Sequence, residues 1–245
     1  MTTVLVIAGS DSSGGAGVTR DVRTLTQLGA QARCVVTAVT AQSDARLYAV
    51  HVVPPELVRA QLAAACATGP VNALKIGMLA TAATVRAVCA GLPAAAVPIV
   101  LDPVLASSSG GELLDRQGRE ALCTAMLPRV TLLTPNIPEA AALLGSSPAQ
   151  TETELLRQAR ALLALGPEAV LLKGGHRTGP EATDLLLLRD AVPRWLRAPR
   201  IATVRRGTGC ELAAAIAAGL AAGLDVATAC TRAKQHLTQS LQQAD

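Results

Sequence analysis

The chain of 245 residues has no phenylalanine, one tryptophan and one tyrosine, and aromatic residues make up 1% of it. A platform that stacks successive bases on aromatic rings is therefore nearly excluded, which argues against single-stranded nucleic-acid binding. Lysine is scarce too: of the 22 basic residues only Lys75, Lys173 and Lys234 are lysines. The net charge of +4 comes from scattered arginines, with no run longer than Arg205-Arg206. The basic stripe of a nucleic-acid footprint is absent. The six cysteines, at 34, 66, 89, 123, 210 and 230, form no C-x-x-C pair and no zinc spacing. Five of them read as small buried hydrophobes. No apolar run reaches the ~20 residues that span a bilayer. The longest, Leu212 to Leu224, is interrupted by Gly219 and Gly223. Met1 to Ala8 carries no basic flank and is too short for a secretory signal, so the expected location is the cytoplasm.

Half of the residues are hydrophobic, and with so few aromatics the core must be built from Leu, Val, Ile and Ala. The length suits one α/β domain over residues 1–245. Val4 to Ala8 is an apolar, partly β-branched run, the mark of a strand buried on both faces. The same reasoning predicts strands over 33–40, 73–76, 99–102, 130–133 and 169–173, with antiparallel edge strands over 184–188 and 195–198. Helices are predicted over 18–28, 56–67, 81–90, 115–126, 137–144, 151–165, 211–222 and 226–241. Thr151 and Glu154 have the spacing of a capping box. Strand–helix alternation implies a three-layer α/β/α fold around a mainly parallel sheet. Ligands of such sheets bind beyond the carboxyl ends of the strands. Gly9 to Asp11, Gln42, Met78, Asp102, Asn136 and Lys173 to His176 all lie at predicted strand ends and should converge on one rim.

The most informative segment is Arg205-Arg206-Gly207-Thr208-Gly209-Cys210, which runs into an alanine-rich helix. The glycines allow close approach of an anion, and the helix start offers it unpaired N–H groups and a partial positive charge. A cysteine on that first turn sits where its thiolate is favoured. An anion cradle beside a proton acceptor suits phosphoryl transfer. The earlier glycine loop, Gly9 to Gly17, is neither a P-loop nor a dinucleotide fingerprint. Asp21 either hydrogen-bonds a ligand or serves the helix start. Asp102 and Glu139 are two carboxylates suited to hydrated Mg²⁺, although each has a reading as a turn or helix-start residue. Asn136 shares a short helical start with Glu139. Lys173, between a strand and Gly174-Gly175, can meet transferring phosphates as a point charge.

Seven segments occur in a familiar order: Ala8 to Gly17, Thr37 to Gln42, Lys75 to Leu79, Leu101 to Val104, Thr134 to Ala140, Lys173 to His176, and Gly207 to Cys210. Together they resemble the hydroxymethylpyrimidine/phosphomethylpyrimidine kinases of thiamine biosynthesis, in the ribokinase-like superfamily, over nearly the whole chain. The Gly-Thr-Gly-Cys ending sets that family apart from sugar kinases with Asp at the last position. The resemblance implies a ribokinase-like sheet of nine or ten strands and a homodimer. It also implies ATP- and Mg²⁺-dependent phosphorylation of a hydroxymethyl pyrimidine and then of its monophosphate. By the same resemblance, Gln42 holds the aminopyrimidine, and Gly9, Asp21, Met78 and Val104 line its pocket. Gly207, Thr208 and Gly209 form the anion hole, with Cys210 as base or relay and Lys173 on the ATP phosphates. Asn136 and Lys234 lie near the nucleotide, and Asp102 and Glu139 organise Mg²⁺. Pyridoxal kinase-like activity, or a silent ligand-binding homologue, are the rival readings. The chain departs from the family pattern at Arg206, where His is usual, and at Glu211, where Thr is usual. A glutamate there adds negative charge near the phosphates unless it faces away.

Overall fold

The computed structural model describes residues 1–93, 95–107, 111–175, 179–202 and 205–243. His176, part of one sequence motif, lies outside the described residues. All nine described strands join one sheet. In chain order they are β1 (Thr3–Asp11), β2 (Gln31–Gln42), β3 (Leu47–Val52), β4 (Ala73–Ile76), β5 (Ile99–Leu101), β6 (Leu132–Leu133), β7 (Ala169–Leu172), β8 (Glu181–Leu188) and β9 (Arg194–Pro199). Across the sheet the order is β3-β2-β1-β4-β5-β6-β7-β8-β9. The six strands from β2 to β7 are parallel, while β3, β8 and β9 run antiparallel to their neighbours.

The period-two geometry of a strand sends alternate side chains to opposite faces. Leu5 and Ile7 of β1 enter one core, and Val4, Val6 and Ala8 the other. The first core is closed by α2 (Pro55–Ala67), α3 (Ala82–Gly91), α4 (Arg116–Ala121), α5 (Ile137–Leu144) and α6 (Glu152–Ala164). The second is closed by α1 (Gly17–Gln27), α7 (Thr208–Ala221) and α8 (Val226–Gln242). Those helices on the two faces make the expected three layers. The run Ala213 to Ala218 of α7 is buried throughout, apart from Ile216 an all-alanine stretch that lets the helix lie close to the strands.

Three details differ from the sequence reading. β1 continues to Asp11, into the segment expected to be loop. The helix expected over 115–126 ends as α-helix at Ala121 and goes on as a π turn over Leu122–Met126. β3 was not anticipated. It is an edge strand with no fully buried residue, so no apolar alternation announces it. It nonetheless matters, because Leu47 and Val52 pack on a small cluster of Ala38, Met78, Ala80, Leu113 and Val104. The capping box of Thr151 with Glu154 is present, and a second joins Asn136 and Glu139.

Candidate active site

Because β1, β2, β4, β5, β6 and β7 are parallel, their carboxyl ends share one rim, and the polar strand-end residues meet there. Gln42 closes β2. Its N–H donates to Ser12 Oγ at 2.8 Å, and the same hydroxyl donates to the Gln42 carbonyl at 2.9 Å. Thr37 Oγ1 donates to the Met78 carbonyl at 2.5 Å, tying the end of β4 to β2. A Cβ at Gly9 would stand 2.8 Å from Met78 Sδ, so only glycine leaves that space. Gly9 and Met78 therefore touch, Val104 packs on the apolar cluster that holds Met78, and Gln42 pairs with Leu47 of β3, which packs on that cluster too.

The helix start expected at Gly207-Thr208-Gly209-Cys210 is the first turn of α7, with Gly207 as its N-cap at φ 75°. That left-handed backbone, and a collision of any Cβ with the Gly15 carbonyl, restrict the position to glycine. A Cβ at Gly209 would lie 3.1 Å from Lys173 Nζ and 3.6 Å from Asp102 Oδ2. The lysine and the helix start thus face the same small volume. Lys173 Nζ donates to Asp102 Oδ1 at 2.7 Å. Burial opposes its charge, but the carboxylates of Asp102 and Glu139 outweigh this and hold the ammonium above its usual range. It is a permanent cation at the mouth.

Glu139 Oε2 accepts from the Asn136 N–H at 2.7 Å, while Asn136 Oδ1 accepts from the Glu139 N–H at 2.8 Å. Asn136 and Glu139 are therefore first the cap of α5. Burial pushes the Glu139 carboxyl up to about 7, against the pull of Lys173 and with Asp102 repelling it. Among the described residues no group of three or more His, Cys, Asp or Glu side chains could enclose a metal. Two nearby carboxylates fit a Mg²⁺ that keeps its waters and rests on phosphates, and do not fit an all-protein cage.

Three expectations need correction. The Cys210 thiol is not activated: burial pushes it up to about 11, with Lys75 lowering it, Asp21 and Asp102 raising it, and the Gly17 N–H lowering it slightly. The helix start is outweighed by desolvation and by two carboxylates. Asp21 does not line an open pocket, nor does it lie in the first turn of α1. It is fully buried, and its Oδ2 accepts from Lys75 Nζ at 2.7 Å. Burial raises its carboxyl to about 6 against the pull of Lys75, and its Oδ1 has no hydrogen-bond partner. Lys234, expected near a nucleotide, is held in a carboxylate pair as Lys173 is. Its Nζ donates to Asp184 Oδ2 at 2.6 Å, and Asp184 Oδ1 accepts from the Gly174 N–H at 2.9 Å. Lys234 acts through Asp184 on the loop that follows Lys173.

Glu211 also finds its explanation. It is 2% exposed and faces Arg205 at 2.6 Å and Arg20 at 3.7 Å, so its charge is matched locally. Sequence reasoning assigned no role to Lys75, Ser12, Asp184 or Arg206. The signal for Lys75 was present: a lone lysine within Ala73–Ile76, a strand apolar at its other positions, requires a buried carboxylate. The others carry no local signal, since each acts on a residue distant in the chain.

A model of the family described as Phosphomethylpyrimidine kinase matches residues 11–245. A hydroxymethylpyrimidine/phosphomethylpyrimidine kinase of Rhizobium meliloti (strain 1021) is 44% identical over 242 residues, covering 98% of this chain and 91% of that protein. The crystal structure of a phosphomethylpyrimidine kinase from Clostridium difficile 630 superposes with a TM-score of 0.85 at 33% identity, covering 98% of this chain and all of the other. A pyridoxal kinase from Staphylococcus aureus, solved with AMP-PCP and pyridoxal, superposes with a TM-score of 0.87 at 29% identity, covering 96% and 85%.

Proposed function

The chain belongs to the phosphomethylpyrimidine kinase family, and from that membership we propose that it transfers the γ-phosphoryl group of ATP to 4-amino-5-hydroxymethyl-2-methylpyrimidine and then to the monophosphate, within thiamine biosynthesis. One observation supports this best. Gly9 in contact with Met78, Val104 on the same apolar cluster and Gln42 at the end of β2 lie at the carboxyl ends of the parallel strands, the end that also carries Lys173 and the helix start at Gly207 to Cys210.

Gln42 holds the aminopyrimidine, its amide able both to donate to and accept from a ring edge. Met78 and Val104 take the flat ring. The N–H groups of Gly207, Thr208 and Gly209 stabilise charge on the transferred group, and Lys173 offsets charge on the departing nucleotide. Asp102 and Glu139 are the residues that would hold Mg²⁺, with Asn136 fixing Glu139. The ion would supply positive charge to offset that of the phosphates. Cys210 takes the hydroxyl proton. With the thiol pushed up to about 11 by burial, only its small thiolate fraction can do so, and a loose transition state, in which the proton leaves late, asks little of the base. Cys210→Ala is expected to lower turnover by roughly 10²-fold. Gln42→Ala is expected to raise the acceptor KM and leave that for ATP unchanged.

The chain acts as one catalytic unit over 1–245, in the cytoplasm and as a homodimer. The open edge of β3, with Tyr48 and Val50 exposed, supports the last point. No helix among the described residues is long and apolar enough to cross a membrane. An ATP-coupled assay on the pyrimidine alcohol, its monophosphate and pyridoxal tests the activity. A higher kcat/KM for pyridoxal would transfer the chain to the rival chemistry. ADP release indifferent to every acceptor would mark a silent ligand-binding protein.

A further inference from the structure

Arg205 and Arg206 stand side by side just before the anion hole and reach in opposite directions. Arg205 points back. Its guanidinium donates to the carbonyl and hydroxyl of Ser240 in α8, at 3.2 and 2.9 Å, and to Glu211 at 2.6 Å. Arg206 points forward, across the acceptor side of the rim. One of its terminal nitrogens donates to Ser13 Oγ at 2.9 Å, to the Ser43 carbonyl at 3.0 Å and to Asp44 Oδ1 at 3.4 Å. The other donates to Asp11 Oδ2 at 3.0 Å. The Arg206 side chain is only 13% exposed, and Asp11 5%. This is not a loose surface pair, which would contribute little. It is a planar fork held by four acceptors from two segments of chain, 11–13 and 43–44.

The positions of those contacts matter. Arg206 adjoins Gly207, the N-cap of the anion-hole helix. Ser43 adjoins Gln42, whose own N–H and carbonyl are both engaged by Ser12. Asp11 and Ser13 flank Ser12, and Asp11 Oδ1 accepts from both the N–H and the hydroxyl of Ser13. One guanidinium thus spans from the residue beside the phosphoryl-transfer helix to the residue beside the pyrimidine holder.

We propose that Arg206 is a positioning residue: a clasp that sets the distance between Gln42 and the helix start, and so aligns the acceptor hydroxyl with the transferred phosphoryl group. This rests on the kinase reading above. The physical basis is that transfer requires near-attack geometry, and a misplacement of about 1 Å lowers rates by up to ~10²-fold. Lysine cannot substitute well, since one ammonium lacks the fork that meets Asp11 and the Ser43 carbonyl together. Asp44, whose side chain is 87% exposed, contributes least of the four.

The test compares wild type, R206A, R206K and D44A by steady-state kinetics with the pyrimidine alcohol, by the ratio of ADP formed to acceptor phosphorylated, and by amide hydrogen exchange. R206A is expected to lose 10- to 100-fold in kcat with an unchanged KM for ATP, to release ADP in excess of phosphorylated product, and to exchange faster over 11–15 and 42–47. R206K follows the same pattern more weakly and serves if R206A does not fold; D44A stays within twofold of wild type. A lowered melting temperature with wild-type kcat and an ADP-to-product ratio of one would overturn the clasp and leave a structural arginine. Exchange over 42–47 unaffected by R206A would overturn it equally. If wild type itself fails to phosphorylate the alcohol, the proposed activity falls, and the exchange comparison alone then decides whether the clasp exists.

Discussion

Lys75 with Asp21, and Lys173 with Asp102, are the same chemical pair at the same separation of 2.7 Å. They differ in depth. The first is sealed, with no exposure on either side chain, whereas Lys173 retains 14%. Lys75 is held under Gly77, whose added Cβ would lie 3.0 Å from its Nζ, while Lys173 opens towards Gly209. Burial opposes both ammonium charges, and carboxylates hold both above the usual range. The sealed pair is out of reach of solvent and serves to keep its charges compensated. A pair at the mouth can exchange its carboxylate for a phosphate. The third lysine, Lys234, is again matched to a buried carboxylate, Asp184. Every lysine of this chain is thus in a carboxylate pair, and only one of the three faces the anion hole.

Substituting Lys75→Met breaks this comparison at its sealed end. It strands the Asp21 carboxylate, and denaturant unfolding is expected to show a loss of about 3–5 kcal/mol. Lys173→Met has the opposite profile: a fall in kcat of about 10²- to 10³-fold with a smaller loss of stability, since the Lys173 side chain is 14% exposed while that of Lys75 is sealed. Equal effects of the two variants on turnover per folded molecule would erase the distinction.

A third experiment uses pH. Asp21 is raised from 3.8 to about 6, so it binds its proton more tightly when folded than when unfolded. Its contribution to stability is full below about 4 and fades as pH rises through about 6. The stability difference between wild type and Asp21→Asn should therefore be larger at pH 4.5 than at pH 7.5. A gap that widens with pH would reverse the assigned direction. The smallest effect concerns the thiols. At pH 8, iodoacetamide is expected to modify Cys34, which is exposed and not the buried hydrophobe expected of it, before Cys210, whose thiol is pushed up to about 11, although burial raises the Cys34 thiol as well. Mass spectrometry showing Cys210 labelled first would restore the activated-thiolate reading.

Much of this was legible beforehand. β4 and α5 lie where the apolar runs and the Asn136 cap put them, because a strand buried on both faces and a capped amphipathic helix leave local marks. β3 left none, being exposed along most of its length. Among site residues, Gly207 is dictated by its own backbone, and Lys173 by the strand it follows. Cys210 was misjudged because a helix start can be seen in sequence, whereas the desolvation that opposes it comes from residues packed around it. Asp21 was misjudged because its partner is 54 positions away.

By itself, the chain determined the alternation of strands and helices, the glycine-bounded helix start and the rarity of lysine, since these depend on neighbours within a few residues. Only the folded sheet decided which lysine faces the rim, how Glu211 is neutralised and what Arg206 holds. Those outcomes depend on burial and on charges brought together from up to 195 positions apart, and Coulomb and desolvation energies follow distance in space, not distance along the chain.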